Sequence, residues 1–564
     1  MLNELYTARG NALAGIPWER YPRPQLRRES YVNLNGTWEL TVEGRTCPIT
    51  VPFCPESLLS GVGKHFRDGS TLVYRRQFCL PEGFRKDRVL LHVGGADQKA
   101  AVLVNGKHLY THVGGYTAFT VDITDALLEN NTLQIRCTDD LNDTTMPYGK
   151  QTLKRGGMWY TPVSGIWQSV WLESVPQQYI RRVDIQVSLE KATVTVDPCL
   201  DGKILCQGRE YPLEQGVCVI APENPHLWTP EDPYLYEFTI LTGEDRADSY
   251  FALRTVEAKT VGGLQRLCLN GKPYFFHGLL DQGYWPDGIY TPAAPECYED
   301  DILTMKALGF NTLRKHIKVE PEEFYYQCDR LGMLVFQDMV NNGTYSFLKD
   351  TALPTLGIQK KDDRKLHKGL PGRQMFLDAM DATVRQLKNH PCIVLWTIFN
   401  EGWGQFDSAS VYDRLRKLDS SRIIDATSGW FRQETHTDVD SRHIYFTSWK
   451  ALQPSHKPLI LSEFGGYACP VADHLFNPRR SYGYKACKNT AQFQKDMETL
   501  YRTQVLPAIG RGLCAAICTQ VSDVEDEING FLTYDRAVCK ADPAAMQQLA
   551  RDLQKALEDT LQTP

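Results

Sequence analysis

The chain has 564 residues, a formal net charge of -6 at neutral pH, and 42% hydrophobic against 23% charged residues. It is too long for one ordinary compact domain, and its composition is that of a globular protein rather than a disordered one. The acidic balance argues against a nucleic-acid partner, because such proteins carry clustered basic residues. No run approaches the roughly 20 apolar residues of a membrane-spanning helix, so no membrane partner is expected.

Cysteine usage and the N-terminus indicate a reducing compartment. Sixteen cysteines are scattered along the chain, and several lie inside apolar runs. With no Cys-x-x-Cys pair and no paired Cys and His cluster, the sequence predicts buried, reduced thiols, no metal and no cofactor. The first six residues lack the basic and apolar regions of a secretory signal, which completes the prediction of a cytoplasmic protein.

Two β-rich regions come first, and we place them at residues 1–175 and 176–258. In the first, short segments of alternating polarity are divided by turn signals such as Asn105-Gly106, a strong hairpin cue. No long helical periodicity intervenes, which predicts an all-β sandwich. The predicted strands of the two regions are 88–93, 101–104, 118–123 and 132–137, then 183–187, 192–196 and 234–241.

From residue 259 to residue 564 the pattern changes to alternating strands and helices. Eight predicted strands alternate with helices over about 300 residues, the size of a (β/α)8 barrel. A doubly wound open sheet is the competing fold, but no Gly-x-Gly-x-x-Gly loop follows any of the strands. The predicted strands are 274–277, 311–315, 334–337, 393–399, 423–426, 442–445, 459–462 and 513–519. The predicted helices are 298–308, 320–331, 374–389, 491–506 and one that begins with Asp542-Pro543.

Two glutamates follow predicted barrel strands directly, one in residues 400–403 (NEGW) and one in residues 462–465 (SEFG). Because barrel active sites lie at the C-terminal ends of the strands, Glu401 and Glu463 are expected to face one mouth. A retaining glycosidase needs two carboxyl groups about 5–5.5 Å apart, one as nucleophile and one as acid and then base. A single glutamate after a buried strand is more often a surface or capping residue. The pair, each followed by glycine within two residues, favours catalysis.

Other side chains near these strand ends suit the same chemistry. Trp403 follows Glu401 closely, so it is a candidate substrate contact and would help to desolvate an acid that must hold its proton near neutral pH. Arg314, at the end of the second predicted strand, would keep Glu463 ionised through its positive charge.

The loop after the first predicted strand, residues 280–287 (LDQGYWPD), combines the carboxylate of Asp281 with the aromatic face of Trp285. Carboxylates and aromatic faces are the usual groups that hold a sugar ring, so both residues are candidate substrate contacts. The competing interpretation is that the aromatic residues of this loop serve only for packing.

Together these motifs resemble glycoside hydrolase family 2, which contains β-galactosidases, β-glucuronidases and β-mannosidases. Residues 34–38 (LNGTW) and 160–167 (YTPVSGIW) look like the sugar-binding sandwich of that family, and residues 253–257 (LRTVE) like the junction of its second sandwich with the barrel. Residues 400–401 are similar to its acid/base motif and residues 462–465 to its nucleophile motif. The resemblance covers nearly the whole chain. It implies a jelly-roll-like β-sandwich, an immunoglobulin-like β-sandwich and a catalytic (β/α)8 TIM barrel, in an enzyme that retains configuration and removes a terminal sugar from small or oligomeric β-glycosides.

The resemblance also implies roles for residues around the two glutamates. Asn400 would bind the 2-hydroxyl of the sugar, a contact that strengthens in the transition state. Arg314 matches an arginine of the second strand, and Tyr445 is the candidate that orients Glu463; for both, strand-end packing is the alternative. His316 lies two residues after Arg314, whereas the family commonly has Arg-x-x-His, which leaves the substrate-binding role of His316 open.

The residues that would select the sugar give a weaker signal. β-Glucuronidases of the family carry Asn-x-Lys after the eighth strand to bind the substrate carboxylate, whereas here Asn529 is followed two residues later by Phe531. Acidic residues within 523–527 would also repel a uronate unless they are neutralised. We therefore expect a neutral β-galactoside as substrate, with a β-hexuronide, either β-glucuronide or β-galacturonide, as the alternative.

Two other functional classes stay open. A carbohydrate-binding protein that has lost catalysis would be free to lose a catalytic glutamate, but both are present here. A barrel lyase or a metal-dependent hydrolase would need a metal cluster or a Schiff-base lysine, and Lys315 and Lys318 lie near one strand end without carboxylates or histidines at ligand spacing. Members of the family that the chain resembles often form homo-oligomers, but no patch in the sequence identifies such a contact.

Overall fold

The computed structural model describes residues 2–562 apart from 354–357, 359–361, 430, 432, 446–448 and 450–451. Its strands form two antiparallel sandwiches, which are followed along the chain by a parallel barrel. Across these described ranges, none of the helices combines the length and the apolar character that crossing a membrane requires.

The first sandwich packs a six-stranded antiparallel sheet against a four-stranded one. Sequence alternation explains the layering, since alternate residues of Gly36–Val42 are buried on one face. Leu40 and Tyr74 of the larger sheet share one core with Leu91 and Leu172 of the smaller sheet. In spatial order the strands of the larger sheet are Arg45–Val51, Gly36–Val42, Thr71–Phe78, Asn131–Thr138, Lys99–Val104 and Lys107–Val113. The strands of the smaller sheet are Val32–Asn33, Val170–Val175, Arg88–Val93 and Phe119–Asp122. A separate two-stranded sheet pairs Gly165–Ile166 with Ala96–Asp97.

The second sandwich is smaller and has its own core, in which Val194 and Ile220 of one sheet lie with Ile204 and Phe238 of the other. A three-stranded antiparallel sheet then leads into the barrel. In spatial order the strands of the sandwich are Arg182–Val187, Ala192–Asp197 and Val217–Ile220, then Arg209–Leu213, Gly202–Cys206, Tyr236–Thr242 and Asp245–Phe251, and the connecting sheet is Val256–Val261, Leu264–Leu269 and Lys272–Pro273.

Eight parallel strands form a nearly closed barrel in the C-terminal part of the chain. We number them in chain order: β1 is Phe276–Asp281, β2 Thr312–Lys315, β3 Leu334–Asp338, β4 Ile393–Asn400, β5 Ile423–Ser428, β6 Asp440–Ile444, β7 Leu459–Gly465 and β8 Leu513–Thr519. The strand order places β5 and β6 at the two edges of the sheet, where the hydroxyls of Ser428 and Ser441 lie 3.4 Å apart. The strands are almost continuously apolar because both faces of a parallel barrel are buried.

The α-helices are Ala8–Asn11, Glu296–Ala307, Glu322–Leu331, Leu370–Leu387, Ser408–Leu418, Thr490–Leu500, Leu506–Ile509 and Pro543–Gln562. Shorter turns are the 3-10 helices Pro24–Leu26, Thr124–Ala126 and Asp363–Lys365 and the π-helices Phe347–Ala352 and Tyr501–Val505. The sandwich and barrel fold class predicted from the sequence is confirmed. The predicted first barrel strand, 274–277, begins too early, because the Tyr274 amide still pairs with the Leu267 carbonyl of the connecting sheet. The predicted helix 491–506 is divided by one π-helical turn.

One segment of the first sandwich, residues 144–161, lies against the loops at the C-terminal end of the barrel, and we call it the mouth segment. On one side the Tyr148 amide donates to the Asn341 carbonyl, 3.1 Å away, just beyond β3. On the other side the Thr161 amide donates to Glu525 Oε1, 2.9 Å away, beyond β8. The mouth segment therefore bridges two barrel loops across the face where barrel active sites lie.

Candidate active site

The two predicted catalytic glutamates lie close together at the C-terminal end of the barrel. Glu401 follows β4 directly, with φ 53°, and its amide donates to the Ser428 carbonyl at the end of β5 over 2.9 Å. Glu463 lies within β7. One carboxylate oxygen of each glutamate and one ring nitrogen of His443 all lie within 4.8 Å of one another. The left-handed backbone of Glu401 is a strained conformation of the kind that concentrates at functional sites.

The surroundings of Glu463 favour its ionised form. Arg314 Nη1 donates to Oε1 over 3.0 Å, and the Tyr445 hydroxyl donates to Oε2 over 2.6 Å. His443 Nδ1 lies 3.5 Å from Oε2. Burial alone would raise the pKa of Glu463, but the neighbouring His443, Arg314 and His316 and the Tyr445 hydrogen bond lower it to about 2. Glu463 is therefore a carboxylate at neutral pH, the state that a nucleophile needs.

Arg314 is fully buried and joins the groups around Glu463. Its Nε donates to Asp338 Oδ1 over 3.0 Å, and its Nη1 also donates to the Ser462 carbonyl over 3.0 Å. Its Nη2 donates to Asn400 Oδ1 over 2.9 Å. Because the guanidinium is planar, these acceptors are fixed relative to one another. Since Oδ1 of Asn400 accepts from Arg314, the amide NH2 of Asn400 is the group left to donate to a substrate.

His443 lies between the two glutamates. Its Nδ1 is 2.8 Å from Glu401 Oε1, and its Nε2 is 3.0 Å from Ser428 Oγ and 3.4 Å from Arg314 Nη1. An ionised carboxylate can only accept, so in that state of Glu401 the Nδ1 nitrogen carries the proton that is donated to it. The Glu401 side chain is 16% exposed, against 6% for Glu463, so Glu401 is the carboxylate with the better access to a leaving group and to water.

The structure brings most of the predicted site residues together. Asn400, Arg314 and Tyr445 contact the two glutamates or one another, as described above. His316 joins them, because alternate residues of an extended chain point the same way and His316 is two residues beyond Arg314. Its Nδ1 lies 2.7 Å from Asp338 Oδ2. The roles of these residues toward a sugar stay predictions.

Trp403, two residues after Glu401, forms an apolar wall at the mouth of the barrel. Its indole nitrogen donates to the Gly343 carbonyl over 2.9 Å, and only 3% of the residue is exposed. The ring of Trp159, from the mouth segment, meets it edge to face with centroids 5.1 Å apart. The first sandwich thus contributes directly to the surroundings of the acid/base candidate.

The loop after β1 does not bring its two predicted contacts to the glutamates. Asp281 Oδ2 accepts from Lys315 Nζ over 2.6 Å. Trp285 is 3% exposed and packs between the ring of Tyr298, 6.0 Å away, and the guanidinium of Arg536, 4.0 Å from its ring centroid. These are interior contacts, so the packing interpretation of this loop fits the structure better than sugar contact.

Sequence reasoning missed three residues of the cluster. Asp338 ends β3, accepts from Arg314 and lies 2.7 Å from a ring nitrogen of His316, and His443 bridges the glutamates. The ring of Tyr484 stacks on Tyr445 with centroids 4.0 Å apart. A carboxylate at the end of predicted strand 334–337 was a usable signal, as was the position of His443 two residues before Tyr445. Tyr484 lies outside the barrel strands, where no periodicity marks it.

Internal partners largely neutralise the acidic run at 523–527. Lys540 Nζ donates to both carboxylate oxygens of Asp523 over 2.6 and 2.8 Å. Arg155 Nη1 lies 3.5 Å from a carboxylate oxygen of Glu525 and donates to Asp526 Oδ1 over 2.9 Å. The Tyr160 hydroxyl donates to the last, Glu527, and burial raises the pKa of Glu527. The run therefore repels an anionic substrate much less than its sequence suggests.

The donor atoms of Glu401, His443 and Glu463 are close enough to hold a divalent cation. The surroundings do not suit one, however, because Arg314 already donates to Glu463 and its fixed positive charge would oppose a second cation at the same oxygens. The arrangement therefore suits acid–base and nucleophilic chemistry better than it suits a bound cation.

Two family models match the chain. "Glycosyl hydrolases family 2, TIM barrel domain" covers residues 262–475, and "Glycosyl hydrolase 2 galactose-binding domain-like" covers residues 65–183. Together they span more than half of the chain. The protein belongs to glycoside hydrolase family 2. This family 2 enzyme is therefore a β-glycosidase, and the resemblance found in its motifs is confirmed.

Curated proteins and solved structures similar to this family 2 chain carry several names. The beta-glucuronidase of Felis catus is 25% identical, over 70% of this chain and 68% of that protein. The beta-galactosidase of Thermoanaerobacter pseudethanolicus is 24% identical, over 71% of this chain and 54% of that protein. The beta-D-glucuronidase structure from Dictyoglomus thermophilum has a TM-score of 0.73 at 18% identity, with 96% and 99% of the two chains covered. A GH2 beta-galacturonidase from Eisenbergiella tayi bound to galacturonate has a TM-score of 0.68 at 18% identity, with 95% and 99% covered. At these identities the structural matches support the fold alone.

Proposed function

We propose that the protein is a retaining exo-β-hexuronidase with Glu463 as nucleophile and Glu401 as acid/base. The observation that carries the proposal is an ionised Glu463 whose carboxylate oxygen lies within 4.8 Å of an oxygen of the more accessible Glu401. Carboxyl groups about 5–5.5 Å apart suit a covalent double displacement, whereas inverting enzymes need about 6.5–9.5 Å to admit water between them.

In the first step, Glu463 attacks the anomeric carbon while Glu401 gives its proton to the glycosidic oxygen. The bond to the leaving group breaks, and an ester bond to Glu463 forms on the opposite face of the sugar. Arg314 and Tyr445 hold both oxygens of the nucleophile before the substrate arrives, so that little reorientation is needed as the bond forms.

In the second step, the ionised Glu401 takes a proton from a water molecule, which attacks the anomeric carbon and releases Glu463 as a carboxylate. Two inversions restore the β configuration. The amide NH2 of Asn400, oriented by Arg314, donates to the 2-hydroxyl, and such contacts contribute most in the transition states.

The names of the relatives support a uronide as the substrate. Beta-glucuronidases from several mammals are 24–26% identical to the chain. Neutralisation of the run at 523–527 removes the main objection drawn from the sequence. The neutral β-galactoside that we first expected becomes the second candidate. It is supported by Phe531 in the position of the family lysine and by the bacterial beta-galactosidase.

Cytoplasmic localisation is part of the same proposal. Sixteen cysteines are free, and most of them are buried, which is the state of thiols in a reducing compartment.

Action on a terminal sugar is supported by the mouth segment, which bounds one side of the site. A homo-oligomer stays a proposal that rests on the family alone.

Hydrolysis of a panel of p-nitrophenyl β-glycosides tests the proposal. Glucuronide and galacturonide would be compared with galactoside, glucoside and mannoside for wild type, Glu401→Gln and Glu463→Gln. The exposed Glu434→Gln is the matched control. We expect one uronide to be preferred, and we expect both site variants to lose turnover while the control keeps it.

Azide rescue distinguishes the two glutamates. With Glu463→Ala, azide should occupy the space of the missing nucleophile and give an α-glycosyl azide. With Glu401→Ala, azide should intercept the covalent intermediate and give a β-glycosyl azide. Products of the same configuration from both variants would contradict the assigned roles, and preference for a neutral sugar would contradict the proposed substrate.

A further inference from the structure

Lys150 is a buried cation at the mouth of the barrel that the mechanism above does not use. It lies in the mouth segment, and the amide of the preceding Gly149 donates to the Asn341 carbonyl over 3.2 Å. The Tyr160 amide donates to the Lys150 carbonyl over 3.0 Å. Hydrogen bonds to the barrel loop and within the mouth segment thus fix the backbone from which this side chain extends.

The ammonium group of Lys150 has no acidic partner. The residue is 8% exposed, and its Nζ lies 5.7 Å from the centroid of the Trp159 ring. Among the residues that the structure describes, no carboxylate oxygen lies within 4.0 Å of Nζ, and Nζ makes no hydrogen bond. A largely buried lysine whose ammonium has no partner is available to bind an anion that enters the site.

Its charge acts on groups of the active site. Burial lowers the pKa of His316, the bond to Asp338 raises it, and the positive charge of Lys150 lowers it further. Burial raises the pKa of Glu527, and Lys150 is among the groups that lower it. The geometry agrees, because the Trp159 ring that Lys150 faces contacts Trp403, two residues after Glu401.

The neighbouring cations are already paired. Lys540 is bound to Asp523, Arg155 to Asp526, Lys315 to Asp281, Lys318 to Glu320 and Arg314 to Glu463. In the loop after β8, Phe531 is fully buried and packs edge to face against Phe310 and Phe493. Lys150 therefore differs from these neighbours in having a free positive charge.

We propose that the Lys150 ammonium binds the carboxylate of a terminal uronic acid and so selects uronides over neutral glycosides. This inference rests on the proposed function and names the residue that determines its substrate class. The mouth segment of the first sandwich then supplies the cation that the loop after β8 lacks. The tryptophan wall of Trp159 and Trp403 excludes water, which strengthens an ion pair formed beside it. A neutral sugar leaves the buried ammonium unpaired, and sites of this kind discriminate strongly.

The test uses the full-length enzyme as wild type, Lys150→Met, Lys150→Arg and the control Lys154→Met, whose lysine is exposed in the same segment. Each would be assayed on p-nitrophenyl β-glucuronide and β-galacturonide and on the matched glucoside and galactoside. Inhibition by free glucuronate and by free glucose would be measured as a second readout, and thermal unfolding would report on the fold.

We expect Lys150→Met to lower kcat/KM for the preferred uronide on the order of 100-fold, since hydrogen bonds between charged groups are of this strength. Turnover of the matched neutral glycoside should change less than about twofold, and Lys150→Arg should recover part of the loss. Inhibition by glucuronate should weaken while that by glucose does not. The Tm of Lys150→Met should equal or exceed that of wild type, because an unpaired buried charge has been removed.

Two kinds of failure can be distinguished. If wild type prefers a neutral glycoside, the proposed substrate fails whatever the variants do. If wild type prefers a uronide but Lys150→Met affects uronide and neutral glycoside equally, or neither, the inference about Lys150 is overturned while the proposed function stands. A 6-phospho-β-galactoside serves as an additional anionic substrate. If it is preferred by wild type and is the substrate whose turnover Lys150→Met abolishes, the assignment to a carboxylate is overturned.

Discussion

Replacing Tyr445 with phenylalanine removes one hydrogen bond from the nucleophile and leaves the rest of its surroundings in place. The Tyr445 hydroxyl donates to Glu463 Oε2 over 2.6 Å, and Oε1 keeps its contact with Arg314. A hydrogen bond to a charged group stabilises by about 1.5–3 kcal/mol, and about 1.4 kcal/mol corresponds to one pKa unit. The pKa of Glu463, which is lowered to about 2 in the wild type, should therefore rise by about 1–2 units.

The direction of the effect on activity follows from the proposed role of Glu463 as the nucleophile. The nucleophile works only when ionised, so activity is lost as the pH falls through its pKa. A raised pKa moves this loss to higher pH, and the acidic limb of kcat/KM for Tyr445→Phe should appear about 1–2 units above that of the wild type.

The assay is the pH profile of kcat/KM on the preferred fluorogenic β-glycoside, read after quenching at alkaline pH. Activity at pH 7 after each acid exposure would separate titration from unfolding. Tyr467→Phe is the control, because the ring of Tyr467 packs beneath Lys485, with Nζ 4.7 Å from its centroid, and does not contact Glu463. An acidic limb that stays in place in a folded Tyr445→Phe enzyme would refute the reasoning that this hydroxyl holds the nucleophile ionised.

Three further changes test other parts of the site. Glu463→Gln should have a lower free energy of unfolding than wild type above about pH 4.5, and this difference should shrink as the pH falls toward 2, because a lowered pKa stabilises the fold only while the group is ionised. Urea unfolding at several pH values measures the difference, and a difference that does not change with pH would contradict the lowered pKa. Asp338→Asn should lower kcat by roughly 10- to 100-fold with little change in KM, because Arg314 is no longer held by a charge; a change in KM alone would assign Asp338 to binding. Trp285→Ala should reduce the free energy of unfolding by about 3–5 kcal/mol and leave KM unchanged, as expected of a packed interior ring; a raised KM with unchanged stability would restore its predicted contact with sugar.

The fold and the positions of the two glutamates at strand ends could be predicted because both depend on the local sequence pattern. The apolar run of β4 ends at Asn400, immediately before Glu401, so strand and carboxylate are adjacent in the chain. Because side chains alternate along an extended chain, the two-residue spacing also places His316 on the same side as Arg314, although this spacing differs from the usual family pattern. Boundaries were less accurate, as at β1, where pairing of Tyr274 with the connecting sheet depends on residues distant in sequence.

The residues that would select the sugar could not be predicted in the same way, because long-range packing determines their position. Lys150 approaches the site through a segment of a different domain, and its sequence neighbours gave no sign of that. Charges at 523–527 looked repulsive because their partners, Arg155 and Lys540, are supplied from elsewhere in the chain or from beyond the loop. Trp285 looked like a sugar contact because composition alone does not tell which way a loop ring faces.

His443 explains how one site can support both steps of the proposed mechanism. Before the first step the negative charge is on Glu463 and the proton is on Glu401; in the covalent intermediate Glu463 is a neutral ester and Glu401 is the carboxylate. Nδ1 of His443 lies 2.8 Å from Glu401, the glutamate that becomes ionised in the covalent intermediate, and 3.5 Å from Glu463. Arg314 and Tyr445 donate to Glu463, the glutamate that is ionised before the first step. The negative charge thus moves between two glutamates that each have donors of their own, and neither step leaves a buried carboxylate without a hydrogen bond.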